Sequence, residues 1–211
     1  MQTMNRVHKS LSLVLIAILF SFFSLTAQAV TNPVNELNSI ANQLINQLKK
    51  NKTAIKENPQ LVYSLADSII VPYADIEEMS RRVLPPSIWN KADSAQRSKF
   101  KSAFTSLLVH TYASALANYN DQTIQFYPVR GGYEGKSSVQ VMSQIERTDG
   151  PSVPVTYRLV LKGSSWRLYD LSVEGISMLE SFRSQFADQL TQGNIDALIQ
   201  RLQEHNSGSK S

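Results

Sequence analysis

The sequence holds 211 residues, carries a formal net charge of +4 and contains no cysteine. The missing thiols exclude disulfides, cysteine nucleophiles and thiolate metal sites, so packing alone must hold the fold. The charge is too small and too dispersed for the dense Lys/Arg footprint of a nucleic-acid binder.

The first 29 residues have the form of a secretory signal peptide. Arg6, His8 and Lys9 make a basic start, Leu11 to Leu25 an apolar core too short for a comfortable span, and Ala27-Gln28-Ala29 a small-x-small cleavage site. Cleavage after Ala29 is expected to release an exported protein, and no cysteine follows to carry a lipid anchor. Cleavage removes Arg6 and Lys9, so the net charge falls from +4 to +2.

Beyond Val30 the pattern is helical, then extended, then helical again. Asn32-Pro33 opens a helix whose apolar stripe is Val34, Leu37, Ile40, Ala41, Leu44, Ile45 and Leu48. A second helix is predicted from Pro59 to about Ile70, and a third from Asp75 to Val83, closed by Pro85-Pro86. The longest starts at Asp93, where Asp93 and Gln96 have capping-box spacing, and runs to about Tyr119. The period then becomes two. Thr123–Tyr127, Ser137–Arg147, Val153–Lys162 and Ser165–Val173 read as strands, with short turns at Asp149-Gly150 and Lys162-Gly163 that favour an antiparallel sheet. Helices from Met178 to about Gln192 and from Asn194 to about Glu204 follow, separated by Gly193, before a flexible polar tail at 206–211. The expected fold is a single α+β domain over 30–205, a sheet of about four strands packed by N- and C-terminal helices.

Catalytic equipment is sparse. His110 lies in the long helix with no metal-binding partner at helical spacing, and His205 lies near the tail. Gly131, Gly132 and Gly135 fall between strands, where turns account for them. Asp170 and Glu174 are the one candidate acid/base pair, but four residues along a strand separates them by about 13 Å. That is too far for glycosidase-type cooperation, unless a bend at the strand end shortens it. The competing reading is a strand-to-helix corner in which carboxylates bond backbone groups and Gly175 takes a conformation other residues resist.

What the chain has in quantity is apolar surface. The strands present Val139, Val141, Val155, Tyr157, Leu159 and Leu161, with Tyr169, Leu171 and Val173 nearby. The long helix presents Tyr112, Leu116 and Tyr119. The residues alone therefore point to an exported binding protein, and periodicity cannot distinguish a solid core from a cavity.

The stretch from Trp166 to Leu202 carries a more specific pattern: Tyr169-Asp170, then Glu174-Gly175-Ile176-Ser177-Met178, Arg183 with Phe186, and Ile195-Asp196 with Leu198. Upstream stand Val71-Pro72-Tyr73 with Asp75, Met79, Val83 and Leu84, and the helix bearing Gln96, Arg97, Phe100, Phe104, Leu108 and Tyr112. Together these resemble the MlaC family, the exported phospholipid-binding proteins also called toluene-tolerance proteins. Leu84-Pro85-Pro86 departs from the family's usual Leu-Gly, and Asn194 also departs from its commoner pattern.

The resemblance implies a twisted antiparallel sheet and helices enclosing a deep apolar cavity for phospholipid acyl chains. The sheet and helix residues above, with Ile176, Met178 and Leu179 at the corner, are then the expected lining. It implies a periplasmic monomer with no cofactor, whose cargo is glycerophospholipid. It further implies two partners, an outer-membrane lipoprotein–porin complex and the lipid-binding subunit of an inner-membrane ABC transporter, in a pathway that maintains outer-membrane lipid asymmetry. Three alternatives stand beside it: a carrier of another apolar ligand, a periplasmic enzyme using Asp170 and Glu174, and a pure interaction module.

Overall fold

The computed structural model describes residues 30–117, 122–147, 150–190 and 194–208. The expected signal segment, Tyr119, Asp149 and Gly193 lie outside them. Helices α1 (Pro33–Lys50), α2 (Lys52–Glu57) and α3 (Leu61–Ile69) lead through a 3₁₀ turn at Val71–Tyr73 to α4 (Ile76–Val83), α5 (Pro86–Lys91) and the long α6 (Ser94–Ala117). Five strands follow, β1 (Thr123–Phe126), β2 (Ser138–Glu146), β3 (Val153–Lys162), β4 (Ser165–Val173) and β5 (Ile176–Ser177), then α7 (Met178–Leu190) and α8 (Ile195–Gly208).

Local chemistry sets the helix starts. Asn32 Oδ1 accepts from the amide of Val34 at 2.9 Å, with Pro33 as the first helical residue. Asp75 Oδ1 accepts from Glu78 N at 2.9 Å. Asp93 and Gln96 form a reciprocal capping box, each side chain accepting the other's amide, at 2.8 and 3.1 Å. Asn194 accepts from Ala197 N at 3.0 Å, so the departure at that position is itself a helix cap. At the other departure, residues 86–91 form α5, because Pro86 occupies the first helical position, where its missing N–H costs nothing.

The sheet runs β1-β2-β3-β4-β5, antiparallel throughout. Directly opposed residues share a face. Val139, Val141 and Ser143 of β2 thus stand beside Leu159, Tyr157 and Val155 of β3, and Tyr157 and Val155 beside Leu171 and Val173 of β4. The register shifts between Arg158 and Leu159: Arg158 pairs with Asp170, but Leu159 pairs with Leu168. Tyr169 is left as the extra residue of a β-bulge, so it does not continue the Leu171–Val173 row as simple alternation predicts.

The helical side has a dense core. Phe100 and Phe104 of α6 are fully buried against Phe182 and Phe186 of α7, with ring centroids 5.5 Å apart for Phe104–Phe182 and 5.8 Å for Phe104–Phe186. Met79, Val83, Trp89, Leu198 and Leu202 belong to the same cluster, as do Met178 and Leu179. The ordered chain extends further than expected at its C-terminus. Asn206 is buried on α8 and donates Nδ2–H to the carbonyl of Ala103 at 2.9 Å, which fixes the start of the expected tail to α6.

Candidate functional site

The corner between β4 and α7 is organised by Asp170, whose side chain is buried. Its carboxylate accepts from Arg158 Nη1 of β3, from Ser177 Oγ at 2.7 Å, and from the amides of Leu171 at 2.9 Å and Leu179 at 3.1 Å. Ser177 in turn accepts from Glu180 N at 3.1 Å, so Asp170 and Ser177 together cap the first turn of α7. A carboxylate offers about four acceptor positions. Here they are committed to holding strand, turn and helix in one geometry.

Glu174 has a different environment. Val173 pairs with Ile176 around Glu174 and Gly175, whose φ angles are +51° and +84°. Two positive φ values in a two-residue hairpin define a type I′ turn, for which Asn-Gly is the preferred pair. Glu174 is exposed and pays the Cβ strain that Gly175 avoids. The expectation that Gly175 supplies an unusual backbone therefore extends to its neighbour.

The apolar candidates fall into three groups by exposure. Val139, Val141, Val155, Leu159, Met178 and Leu179 are buried. Leu116, Tyr157, Leu161, Tyr169 and Leu171 are half-buried. Tyr112, Val173 and Ile176 are exposed, at 38%, 38% and 69%. Tyr112 packs edge-on against Phe182, with centroids 6.4 Å apart, and lies within electrostatic reach of Asp170. The three exposed apolar residues therefore gather around the β4–α7 corner instead of scattering over the surface.

Burial separates the interior into regions that differ in filling. The helical core gathers many buried side chains from α4 to α8, whereas, among the described residues, the sheet cluster of Val139, Val141, Leu159 and Trp166 is joined by one buried helical residue, Leu37. A third cluster unites Leu48, Ile55, Val62, Ala66 and Ala113, with Leu44, Val109 and Leu116 half-buried at its edge. Along the α1 stripe, Ile40, Ala41, Leu44 and Ile45 remain half-buried, and Ile40 and Ile45 join none of the three clusters. Apolar residues at core spacing that protein covers only in part leave surface available to an apolar ligand.

Polar groups on the sheet are paired. Ser143 Oγ donates to the hydroxyl of Tyr157 at 3.3 Å, and the Tyr157 ring lies 5.4 Å from that of Phe126. Burial pushes the Tyr157 hydroxyl above the ordinary phenol range, partly offset by the Ser143 bond. Burial, then the charge of Asp170, does the same for Tyr112. The start of α1 is fastened to the β3–β4 hairpin: Glu36 Oε2 accepts from Thr31 Oγ1 at 2.9 Å and Trp166 N at 3.2 Å, while Trp166 Nε1 donates to Thr31 O at 2.9 Å.

Among the described residues, open clefts include the following two. One, of about 350 Å³ between α6, α7 and α8, has Leu107, Phe182, Phe186 and Leu202 beneath a rim that includes Gln189, Arg201 and His205. The other, of about 400 Å³ beside the β1–β2 loop, is lined by Val129, Arg130, Lys136, Ser138, Val139, Gln140, Met142 and Tyr169. Of the described residues in the expected lining, Val139 and Tyr169 border the second cleft and none borders the first. Sequence reading missed Arg130 and Lys136, which show no periodic signal and meet Tyr169 only through the fold. His110 is a half-buried helix residue with its ring 4.6 Å from that of Tyr63. Among the described residues, no three His, Asp or Glu side chains converge as a metal site, and no helix is long and apolar enough to cross a membrane.

The family model described as MlaC protein matches residues 38–204. The chain is 28% identical over 179 residues to the toluene tolerance protein ttg2D of Pseudomonas putida, covering 85% of this chain and 82% of that protein. It is also 28% identical over 182 residues to the intermembrane phospholipid transport system binding protein MlaC of Haemophilus influenzae, covering 85% and 84%. Among solved structures, a phospholipid-binding protein from Ralstonia solanacearum in complex with a phospholipid aligns with a TM-score of 0.78 and 28% identity, over 86% of this chain and 100% of that one. With the α+β order, the capped β4–α7 corner and the family match running from α1 to α8, the chain belongs to the MlaC family.

Proposed function

We propose that this protein is a periplasmic carrier of glycerophospholipid, exported by cleavage after Ala29. In this reading it shuttles lipid between an outer-membrane lipoprotein–porin complex and the lipid-binding subunit of an inner-membrane ABC transporter. The observation that carries the proposal is the fold shared with the whole length of a chain that holds a phospholipid. The half-buried Ile40, Ala41 and Ile45 of the α1 stripe support it, as do the half-buried Leu116, Tyr157 and Leu171. We assign the acyl chains to the space these residues border, with Tyr112, Val173 and Ile176 at its mouth.

The physical need is plain. Two acyl chains of about 30 methylenes, at roughly 0.8 kcal/mol each, set a cost on the order of 25 kcal/mol against free passage through water. Enclosure by protein removes most of that cost at both ends of the journey. Net transfer is then a small difference between large terms, and direction comes from the partners.

The test is extraction and mass spectrometry of lipid from protein purified out of the periplasm, followed by transfer between reconstituted partner complexes. Near-stoichiometric glycerophospholipid and transfer in the presence of both complexes are expected. Another apolar compound in the extract overturns the cargo, and lipid without transfer overturns the shuttle.

A further inference from the structure

We infer that the joint between α1 and α2 is a surface by which the protein approaches a bilayer containing anionic phospholipid. Dispersed as the cations are over the chain as a whole, one segment stands apart. No carboxylate occurs between Glu36 and Glu57, and Lys49, Lys50, Lys52 and Lys56 fall in the last eight of those positions. Residues 49–57, Glu57 included, carry a charge of +3, whereas the whole chain beyond Ala29 carries +2. The remainder is therefore slightly acidic, at −1, and the joint supplies all of the excess positive charge.

The fold presents these charges to solvent. All four lysines are exposed, while Leu48 and Ile55 on the same segment are buried. Asn51 fixes the joint: its amide and its Nδ2 both donate to the Gln47 carbonyl, at 3.0 and 2.8 Å, and its own carbonyl accepts from Ile55 N at 2.8 Å. The lysines thus project from anchored helix ends. Elsewhere cations meet carboxylates: Glu78 takes Arg81 and Arg82, Glu77 takes Lys101, Asp75 takes Lys162, Asp170 takes Arg158 and Glu36 takes Arg167. Among the described residues, Lys50, Lys52 and Lys56 make no ion pair. Arg183 and Arg201 are also unpaired, but each has a glutamate three residues away on its helix, Glu180 and Glu204. Lys52 has Lys56 one turn on instead, a like-charge pair that disfavours the helix and is relieved by an external anionic surface.

The side-chain chemistry favours lipid over protein as the partner. An ammonium is a compact, strongly hydrated point charge on a flexible stem, which suits a diffuse field of phosphates. Lysine is depleted from protein–protein interfaces, where arginine and aromatic residues are enriched, and residues 49–57 contain neither. The joint also lies at the useful end of the fold. Leu48 and Ile55 share a cluster with Ala113 and Leu116, in the last turns of α6, the end that carries Tyr112 at the proposed mouth. Attraction at the joint brings that end toward the membrane. The inference adds a bilayer encounter to the carriage proposed above, and binding at the joint is measurable without carriage.

The test is flotation of the chain from Val30 with vesicles of phosphatidylcholine, alone or mixed with phosphatidylglycerol. Wild type is compared with Lys52→Gln/Lys56→Gln and with Lys91→Gln/Lys99→Gln, which removes the same charge from exposed lysines elsewhere. Wild type should bind the phosphatidylglycerol vesicles more tightly, and the preference should shrink as salt rises. At about fivefold per lysine, the joint variant should lose roughly 25-fold of that preference, and the control variant less than about twofold. All three proteins should melt together, because every substituted lysine is exposed. Equal losses in the two variants, or no preference in the wild type, overturn the inference. If vesicles are ignored while the joint variant fails in transfer between reconstituted partner complexes, the surface serves an acidic protein and the lipid reading is overturned. Preferential vesicle binding by protein that takes up no lipid supports the joint and counts against carriage.

Discussion

Arg158 and Asp170 are register partners on β3 and β4, joined by an ion pair in which the aspartate is the buried member. The pair sits immediately before the register shift, and the same carboxylate caps α7 through the Leu179 amide. One side chain therefore fixes both the bulge and the angle at which the helix leaves the sheet.

Asp170→Asn should destabilise the fold by about 2–4 kcal/mol, because breaking a buried pair strands its partner and weakens the cap. Arg158 is 30% exposed, so water offsets part of its loss and holds the cost below the roughly 3–5 kcal/mol of a fully buried pair. Urea unfolding measures the change. Lipid per folded molecule should be unaltered in Asp170→Asn and in its double variant with Glu174→Gln. A double variant that folds and loads lipid normally, yet fails in transfer, would reveal a function for these carboxylates beyond the corner.

Glu174→Asn should stabilise the protein by up to about 1 kcal/mol, since the turn then becomes Asn-Gly and the left-handed backbone costs less. Thermal melting and lipid stoichiometry check it together. A rise in stability with unchanged loading identifies Glu174 as a strained turn residue. A loss of loading would show that the carboxylate itself meets the cargo.

The elements most legible in the sequence are those governed by neighbours in the chain. The bounds of β3 and β4 follow from alternation and their glycine turn, and the α6 capping box follows from the Asp93–Gln96 spacing. What escaped has a physical reason in each instance. Strand β5 is two residues long, too short to carry a period, and exists because the turn at Glu174-Gly175 folds it back on β4. The bulge at Tyr169 arises from pairing between strands, which no single-strand pattern encodes. Asn206 reads as polar tail until α6 supplies a carbonyl to receive its amide. The apolar rows were legible, but which of them remain uncovered depends on how α1 and α6 sit against the sheet.

Alkaline pH should weaken the fold through its tyrosines. Burial raises the hydroxyl pKa values of Tyr157 and Tyr112 in the folded state, so the folded protein holds those protons more tightly than the unfolded chain. Their contribution is fully present below the unfolded phenol value of about 10 and is lost as pH rises from there through the folded values. Unfolding free energy measured between about pH 9 and 11 should decline, and Tyr157→Phe should flatten the decline. An unchanged slope in the variant would mean that the buried hydroxyl does not couple folding to protonation.

The last prediction separates solid core from cavity wall. Phe104 is fully buried among Phe100, Phe182 and Phe186, so Phe104→Ala should cost about 3–5 kcal/mol while leaving lipid per folded molecule unchanged. Ile45 lies on the α1 stripe, half-buried and outside every apolar cluster. Added bulk in a packed core costs about 1–3 kcal/mol, because neighbours must leave their preferred rotamers. Ile45→Trp should cost less than about 1 kcal/mol in delipidated protein, since the indole enters space that protein does not fill. The same indole competes with acyl chains, so lipid stoichiometry should drop. Melting of delipidated protein and mass spectrometry of loaded protein give the two readings. A full overpacking penalty would place Ile45 in solid core, and normal loading would move the acyl chains away from α1.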